Sequence, residues 1–271
     1  MLISEIGEWL RENPAPRRPS RVYPAGTQAP AGLSGMEISY SQMRSYLDCP
    51  WLYKLVYRDR KRPLHHPASS LGVSIHRALE SYHRAGGGEL SVLLEAYDQH
   101  WSHTGFSTPQ EQLQWHAKGR TMLERFHAEE SARKSEILAV EKELLAPLDP
   151  HILRGTADRI DRRPDGSIEV IDYKTHMDVQ EEDQTAQSLQ LGLYGLLVEE
   201  CLGQQVSWLT FYYVAAGKRV SVPREPSQDE LLREFVLRMA DILCWGKSFT
   251  PQTGHCPACD ARAFCPHAPK T

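Results

Sequence analysis

Two stretches of the sequence place chemically capable side chains at fixed spacings. The first, TADRIDRRPDGSIEVIDYKTH, carries Asp158, Asp172 and Lys174 on either side of Arg163-Pro164-Asp165-Gly166. The second, GHCPACDARAFCPH, carries Cys256, Cys259 and Cys265 in a Cys-x2-Cys-x5-Cys spacing. In the first, proline fixes φ at the second turn position and glycine accepts the left-handed conformation at the fourth. The turn therefore predicts a three-residue hairpin loop in which Arg163 pairs with Ser167. Counting outward along both arms, Asp158 then faces Asp172, with Cβ atoms about 4.5–5.5 Å apart. Lys174, two residues further, shares that face.

Carboxylates this close repel unless a proton, Lys174 or a divalent cation lies between them. Carboxylate oxygens suit Mg²⁺ or Mn²⁺. A lysine beside such an ion can orient a water and stabilise charge on a phosphate, which is the chemistry of phosphodiester hydrolysis. The alternative for Asp158 is a surface ion pair with one of the neighbouring arginines of Asp-Arg-Ile-Asp-Arg-Arg. Asp172, at the end of the apolar run EVIDYK, is less easily explained as solvated charge. Asp165 follows a proline but belongs to the hairpin tip, away from Lys174.

These residues need elements to hold them. Residues 1–35 read as an extended Pro-rich arm containing a short amphipathic piece, and residues 36–271 as a single domain. Helices are expected near 39–49, over 69–84, 89–101 and 108–135, then over 183–202 and 227–246. Strands are expected in ILAVEKELLAPL, in both arms of the hairpin, and in VSWLTFYYVAAGKRVSV, which turns at Ala216-Gly217. The order of elements indicates an α/β fold with a mixed central sheet flanked by helices. The chain has 271 residues, is 41% hydrophobic and carries a net charge of -4, so a basic stripe does not announce a nucleic-acid partner. No apolar run is long enough to span a membrane, and glutamates interrupt the apolar residues of MLISEIGEWL. The cytoplasm is the expected location, and there cysteines read as metal ligands or free thiols before disulfides.

GTADRID, EVIDYKTH and QSLQLGLY, in that order, resemble the RecB-type nucleases of the PD-(D/E)XK superfamily. SYSQMRSYLDCPWLYK resembles the opening segment of the same group. The resemblance implies a restriction-endonuclease-like sheet and a metal-dependent DNA exonuclease acting on single-stranded or frayed ends. It implies His76, Asp158 and Asp172 as metal ligands for Mn²⁺ or Mg²⁺, and Lys174, Gln190 and Tyr194 as further catalytic residues with the two aspartates. Glu141 is either a strand carboxylate beside this site or a solvated glutamate. Glu80 and His83 share the side of the helix that carries His76 and read as ordinary helix residues. No G-x4-G-K-[ST] phosphate loop is present. Unwinding would therefore come from a helicase or from another repair or CRISPR partner. A non-catalytic DNA-binding or scaffolding subunit is the alternative, disfavoured by the complete Asp158, Asp172 and Lys174 set. The YRDRKRPLHH run at 57–66 is either a phosphate-contacting patch or a solvated loop.

Three thiolates make an incomplete cage. Cys49, followed by Pro50, supplies a fourth in the arrangement seen in the AddB nuclease domain and the CRISPR-associated RecB-like exonucleases. There such cysteines hold a 4Fe-4S cluster, so the resemblance implies a cluster on Cys49, Cys256, Cys259 and Cys265 that joins the N- and C-terminal segments. Four thiolates also suit structural zinc. Cys201 and Cys244 fall inside helices and read as buried hydrophobes.

Overall fold

The computed structural model describes residues 1–16, 35–63, 65–246 and 248–269. Helix α1 spans Ile6–Glu12, strand β1 Glu37–Ser39, and α2 Tyr40–Asp48. Ser39 caps α2: its hydroxyl accepts the Gln42 N–H, and the Gln42 side chain returns to the Ser39 N–H. Pro50 restarts the helix as α3, Pro50–Tyr53, which widens into a π-helical turn over Lys54–Arg58. Helices α4 (Pro67–Arg84), α5 (Leu90–Gln99) and α6 (Pro109–Glu130) follow. Next come β2 (Glu136–Leu148), β3 (His151–Arg162) and β4 (Ile168–Lys174), then α7 (Glu182–Ala186) and α8 (Leu189–Leu202). Strands β5 (Val206–Tyr213) and β6 (Lys218–Pro223) form the expected second hairpin, and α9 spans Asp229–Trp245.

The sheet is mixed, in the order β1-β3-β4-β5-β6, with β2 paired to β3. One core packs α8 and α9 against it, with Ile160, Val170 and Leu209 among the strand residues. The other packs α4, α5 and α6 against Ile171, Tyr173 and Tyr212. No helix among the described residues is long and apolar enough to cross a membrane.

Strand β3 positions the chemistry. Strand β2 runs along its whole length on one edge. The opposite edge is shared: β1 pairs in parallel with Ile152–Arg154, and β4 pairs antiparallel with Arg159–Arg162. Between them, Gly155–Asp158 has no strand partner on that edge among the described residues.

The reading of residues 1–35 as an arm needs correction at its start. Ile3 and Ile6 are buried in the core, and the Trp9 ring meets Phe235 of α9 edge-on at 5.0 Å. The short amphipathic piece has apolar residues at helical spacing, and α9 offers them an apolar partner. Residues 17–34 of that segment lie outside the described residues. Cys201 and Cys244 are half-buried, not enclosed.

Candidate active site

The hairpin forms as its turn chemistry dictates. Gly166 has φ 85° and donates its N–H to Arg163 O at 2.9 Å, and the Arg163 N–H reaches Ser167 O at 2.8 Å. Asp165 stays at the exposed tip, accepting the Ser167 N–H at 2.9 Å and its hydroxyl at 2.6 Å. The predicted register runs through Arg162–Ile168 to Arg159–Ile171. The next pair would be Asp158 with Asp172, but here the strands part, and Asp158 Oδ2 accepts the Tyr173 backbone N–H at 2.7 Å. The carboxylate thus replaces a rung of the ladder at the fork.

On β4, Asp172 Oδ2 lies 2.6 Å from Lys174 Nζ. Helix α8 is capped by Ser188, whose hydroxyl accepts the Leu191 N–H. It presents Gln190 and Tyr194 one turn apart. Gln190 Oε1 accepts from Lys174 Nζ at 2.7 Å, while its Nε2 donates to Asp172 Oδ1 at 2.6 Å and to the Tyr194 hydroxyl at 3.3 Å. The amide therefore bridges the lysine and the aspartate and fixes both.

Helix α4 buries Leu71, Ile75, Ala78 and Leu79 in the second core, and this anchors His76. His76 Nδ1 lies 3.5 Å from Asp158 Oδ2 and 3.7 Å from Glu141 Oε1. Glu141 has φ 45°, a left-handed conformation that a non-glycine strand residue rarely adopts. Its neighbours Val140 and Lys142 remain paired with Arg159 and Ala157, so the distortion is confined to the residue aimed at the site. Among the described residues, His76, Glu141 and Asp158 are the one trio of His, Cys, Asp or Glu whose ligand atoms all lie within 4.8 Å of one another.

The electrostatics reflect this crowding. Burial, then the nearby Asp158 charge, push the Asp172 carboxyl up to about 6, against the opposing pull of Lys174 and His76. Burial alone would lower His76, but hydrogen bonding to Asp158 and Glu141 raises it to about 10. The arginines next to Asp158 point elsewhere. Arg159 binds Asp161 and Glu130, Arg162 binds Glu136, and Arg163 binds Glu169. The surface ion pair considered for Asp158 does not form.

A family model described as the PD-(D/E)XK nuclease superfamily matches residues 37–266. The chain belongs to this superfamily. In this PD-(D/E)XK nuclease the matched span takes in the fork, the hairpin, α8 and the C-terminal cysteines. The fold is similar to that of a crystal structure from Eubacterium rectale whose own assignment as an exonuclease is provisional. That protein is 12% identical, the TM-score is 0.54, and the match covers 87% of this chain and 90% of that one. A second crystal structure, SSO0001, is 15% identical over 85% of this chain and 96% of its own, with a TM-score of 0.37. No curated protein matches the sequence significantly.

The structure of the nuclease gathers the sequence-predicted residues into two linked groups. His76 and Asp158 meet with Glu141, while Asp172, Lys174, Gln190 and Tyr194 form a hydrogen-bonded cluster beside them. The position of Glu141 was legible as a strand carboxylate, but the backbone turn that aims it was not. A supporting layer behind the site was missed: the Tyr173 hydroxyl lies 3.2 Å from His83 Nε2 and 3.4 Å from Arg159. His83, read as an ordinary helix residue, is buried there.

The four cysteines converge elsewhere in the nuclease. Cys49, Cys256, Cys259 and Cys265 line one pocket, and none is in a disulfide. The Gln252 N–H donates to Cys49 Sγ at 3.3 Å. Burial pushes the Cys259 thiol up, an Ala261 backbone hydrogen bond opposes this, and the neighbouring Cys265, Cys256 and Cys49 push it further. Of the YRDRKRPLHH run, Arg58 is tied to the Leu243 carbonyl and Asp59 pairs with Lys54, while Arg60, Lys61 and Arg62 are exposed. Leu64 lies outside the described residues.

Proposed function

We propose that this protein is a metal-dependent DNA exonuclease that hydrolyses phosphodiester bonds at single-stranded or frayed ends. The observation that carries the reading is the junction of two groups: the His76, Glu141 and Asp158 trio, and the Asp172–Lys174–Gln190 cluster. The donor set fits the metals expected. Carboxylate oxygens suit Mg²⁺ and Mn²⁺, and an imidazole nitrogen shifts preference toward Mn²⁺. His76, Glu141, Asp158 and Asp172 would hold the ion. Bound there, a divalent ion polarises a phosphoryl oxygen and makes water a better nucleophile at neutral pH. Lys174 is held by Gln190 and Asp172 with its ammonium group toward the site, where it can orient the attacking water or stabilise charge on the phosphate. Gln190 shares the ammonium group with Asp172, accepting from Lys174 at 2.7 Å. Tyr194 orients Gln190.

A non-catalytic scaffold would need neither the positioned lysine nor a strained backbone at Glu141. Incubating the purified protein with end-labelled single- and double-stranded DNA, with and without Mn²⁺, tests the proposal. Release of mononucleotides or short oligonucleotides from one end is expected. Intact DNA in every arm sinks the reading.

The cysteine pocket is proposed to hold a 4Fe-4S cluster with a structural task. Its four donors are all sulfur, the ligand type such clusters take. Four thiolates also suit structural zinc, and the metal content of the purified protein decides between the two. The cluster would tie the end of α2 to the C-terminal segment.

A further inference from the structure

A groove adjoins the acidic centre where β1 and β4 leave β3 uncovered. It measures about 400 Å³ and is lined by Ser39, Tyr40, Tyr57, Arg154, Thr156 and Tyr194, among others. That volume is in the range of sites that enclose small ligands, about 300–1,000 Å³. Three features distinguish it from an ordinary surface cleft.

The first is a run of parallel rings. Phe249 stacks on Tyr53 at 6.0 Å and 22°, and Tyr53 stacks on Tyr57 at 5.3 Å and 25°. Tyr53 is buried, and Tyr57, on the π-helical turn, ends the stack and lines the groove. The second is Tyr194, which lines the groove and also meets Gln190 through its hydroxyl. It lies so close to β3 that a Cβ on Gly155 would come within 3.2 Å of its ring and 2.6 Å of Leu197. The third is the charge balance. Arg154 is paired with Glu37 at 3.4 Å and Glu143 at 2.5 Å, so the groove is polar but nearly neutral. That composition suits bases better than a phosphate backbone.

We infer that this groove receives the unpaired bases next to the scissile phosphate of single-stranded DNA, with Tyr57 extending its ring stack onto a base. The inference rests on the nuclease reading above and names the form of DNA that the site takes. Base–aromatic stacking is sequence-tolerant because every base has a π-face. In a duplex every base is paired and only the terminal pairs present an open face, so the groove favours single strands and frayed ends over blunt duplex.

The test measures binding apart from cleavage. A fluorescent oligo(dT) strand and a blunt duplex of equal length are titrated with the full-length protein in EDTA, followed by anisotropy. Tyr57→Leu, which keeps bulk against Tyr53 but removes the stacking face, should weaken single-strand binding about 5- to 100-fold, as should Tyr40→Ala. Duplex binding should be unchanged, and Tyr57→Phe should bind as wild type. Single-strand affinity unchanged in both Tyr57→Leu and Tyr40→Ala overturns the inference. A second arm follows hydrolysis of bis-p-nitrophenyl phosphate in Mn²⁺, which is too small to need the groove. Equal rates in wild type and Tyr57→Leu are expected, whereas a much slower Tyr57→Leu would place the residue in the chemistry and overturn the binding role. Wild type that hydrolyses neither this ester nor DNA removes the nuclease reading, and the binding arm still decides the groove.

Discussion

The backbone N–H of Tyr173 and the carboxylate of Asp158 are joined by a 2.7 Å hydrogen bond where β3 separates from β4. The fork is thereby fixed from both sides: the strand that leaves supplies the acceptor, and the strand that stays supplies the donor. Asp158→Asn keeps an acceptor for Tyr173 but loses a full negative charge beside His76. It should fold normally and lose most activity. DNA degradation and thermal unfolding, measured on one preparation, would separate the two effects, and a wild-type rate would remove Asp158 from the metal site.

Lys174→Ala and Asp172→Ala should each reduce DNA degradation by about 10²–10³-fold or more, the scale of losing one preorganised electrostatic group. Gln190→Ala should cost less, because the Asp172–Lys174 pair at 2.6 Å survives it. If Gln190→Ala were as damaging as Lys174→Ala, the amide would belong in the chemistry itself.

Glu141 holds a backbone conformation costing about 1–3 kcal/mol for a non-glycine residue. Glu141→Gly removes that strain and the carboxylate together. The unfolding midpoint should not fall, while the Mn²⁺ concentration needed for half-maximal cleavage should rise tenfold or more. Unchanged Mn²⁺ dependence would return Glu141 to the role of a bystander.

His83 contributes to the pH dependence of stability. Burial, then the charges of Arg159 and Arg133, hold its pKa at about 3, against the ordinary value of 6.5. Below pH 6.5 the unfolded chain takes a proton that the folded protein refuses until near pH 3. Stability from this residue is therefore complete above 6.5 and falls as pH drops toward 3, by roughly 1 kcal/mol per pH unit. Asp172, whose raised pKa of about 6 favours the folded protein as pH falls toward 4, works in the opposite direction, so His83→Gln should make the unfolding midpoint fall less, or rise more, than in wild type between pH 6 and 4. Parallel curves would show that another group carries the slope.

The cysteine pocket predicts a brown protein when purified anaerobically, with about four irons per chain and no stoichiometric zinc. Cys49→Ala should bleach it as fully as Cys256→Ala, whereas Cys201→Ala and Cys244→Ala should leave the colour intact. One zinc in a colourless preparation would replace the cluster and keep the tie between the two segments.

Local chemistry made much of this site readable. Pro164 and Gly166 specify the turn, the turn specifies the register, and the register brings Asp158 and Asp172 to the same end of the hairpin. Gln190 and Tyr194 follow from one helical turn. What the sequence does not express is distortion and distant pairing. Nothing in AVEKELL marks Glu141 as the residue that adopts positive φ. Arg159, Asp161 and Glu169 are buried charges that no local pattern marks: Arg159 pairs with Asp161, and Arg133, Arg163 and Arg219 arrive from other elements to neutralise Glu169. The packing of α1 on α9 depends on residues more than two hundred positions apart, beyond the reach of any periodicity.

The uncovered edge of β3 also bears on self-association. A free strand edge is a template on which another chain can add a strand and begin to aggregate. Here the free run, Gly155–Asp158, is bounded by β1 at one end and β4 at the other. It is shorter than an ordinary strand of about 5–6 residues, and an incoming strand would collide with both neighbours. Ala157 and Asp158 of this run are also buried, so the gap in the sheet leaves another chain no edge on which to add a strand and begin a fibre.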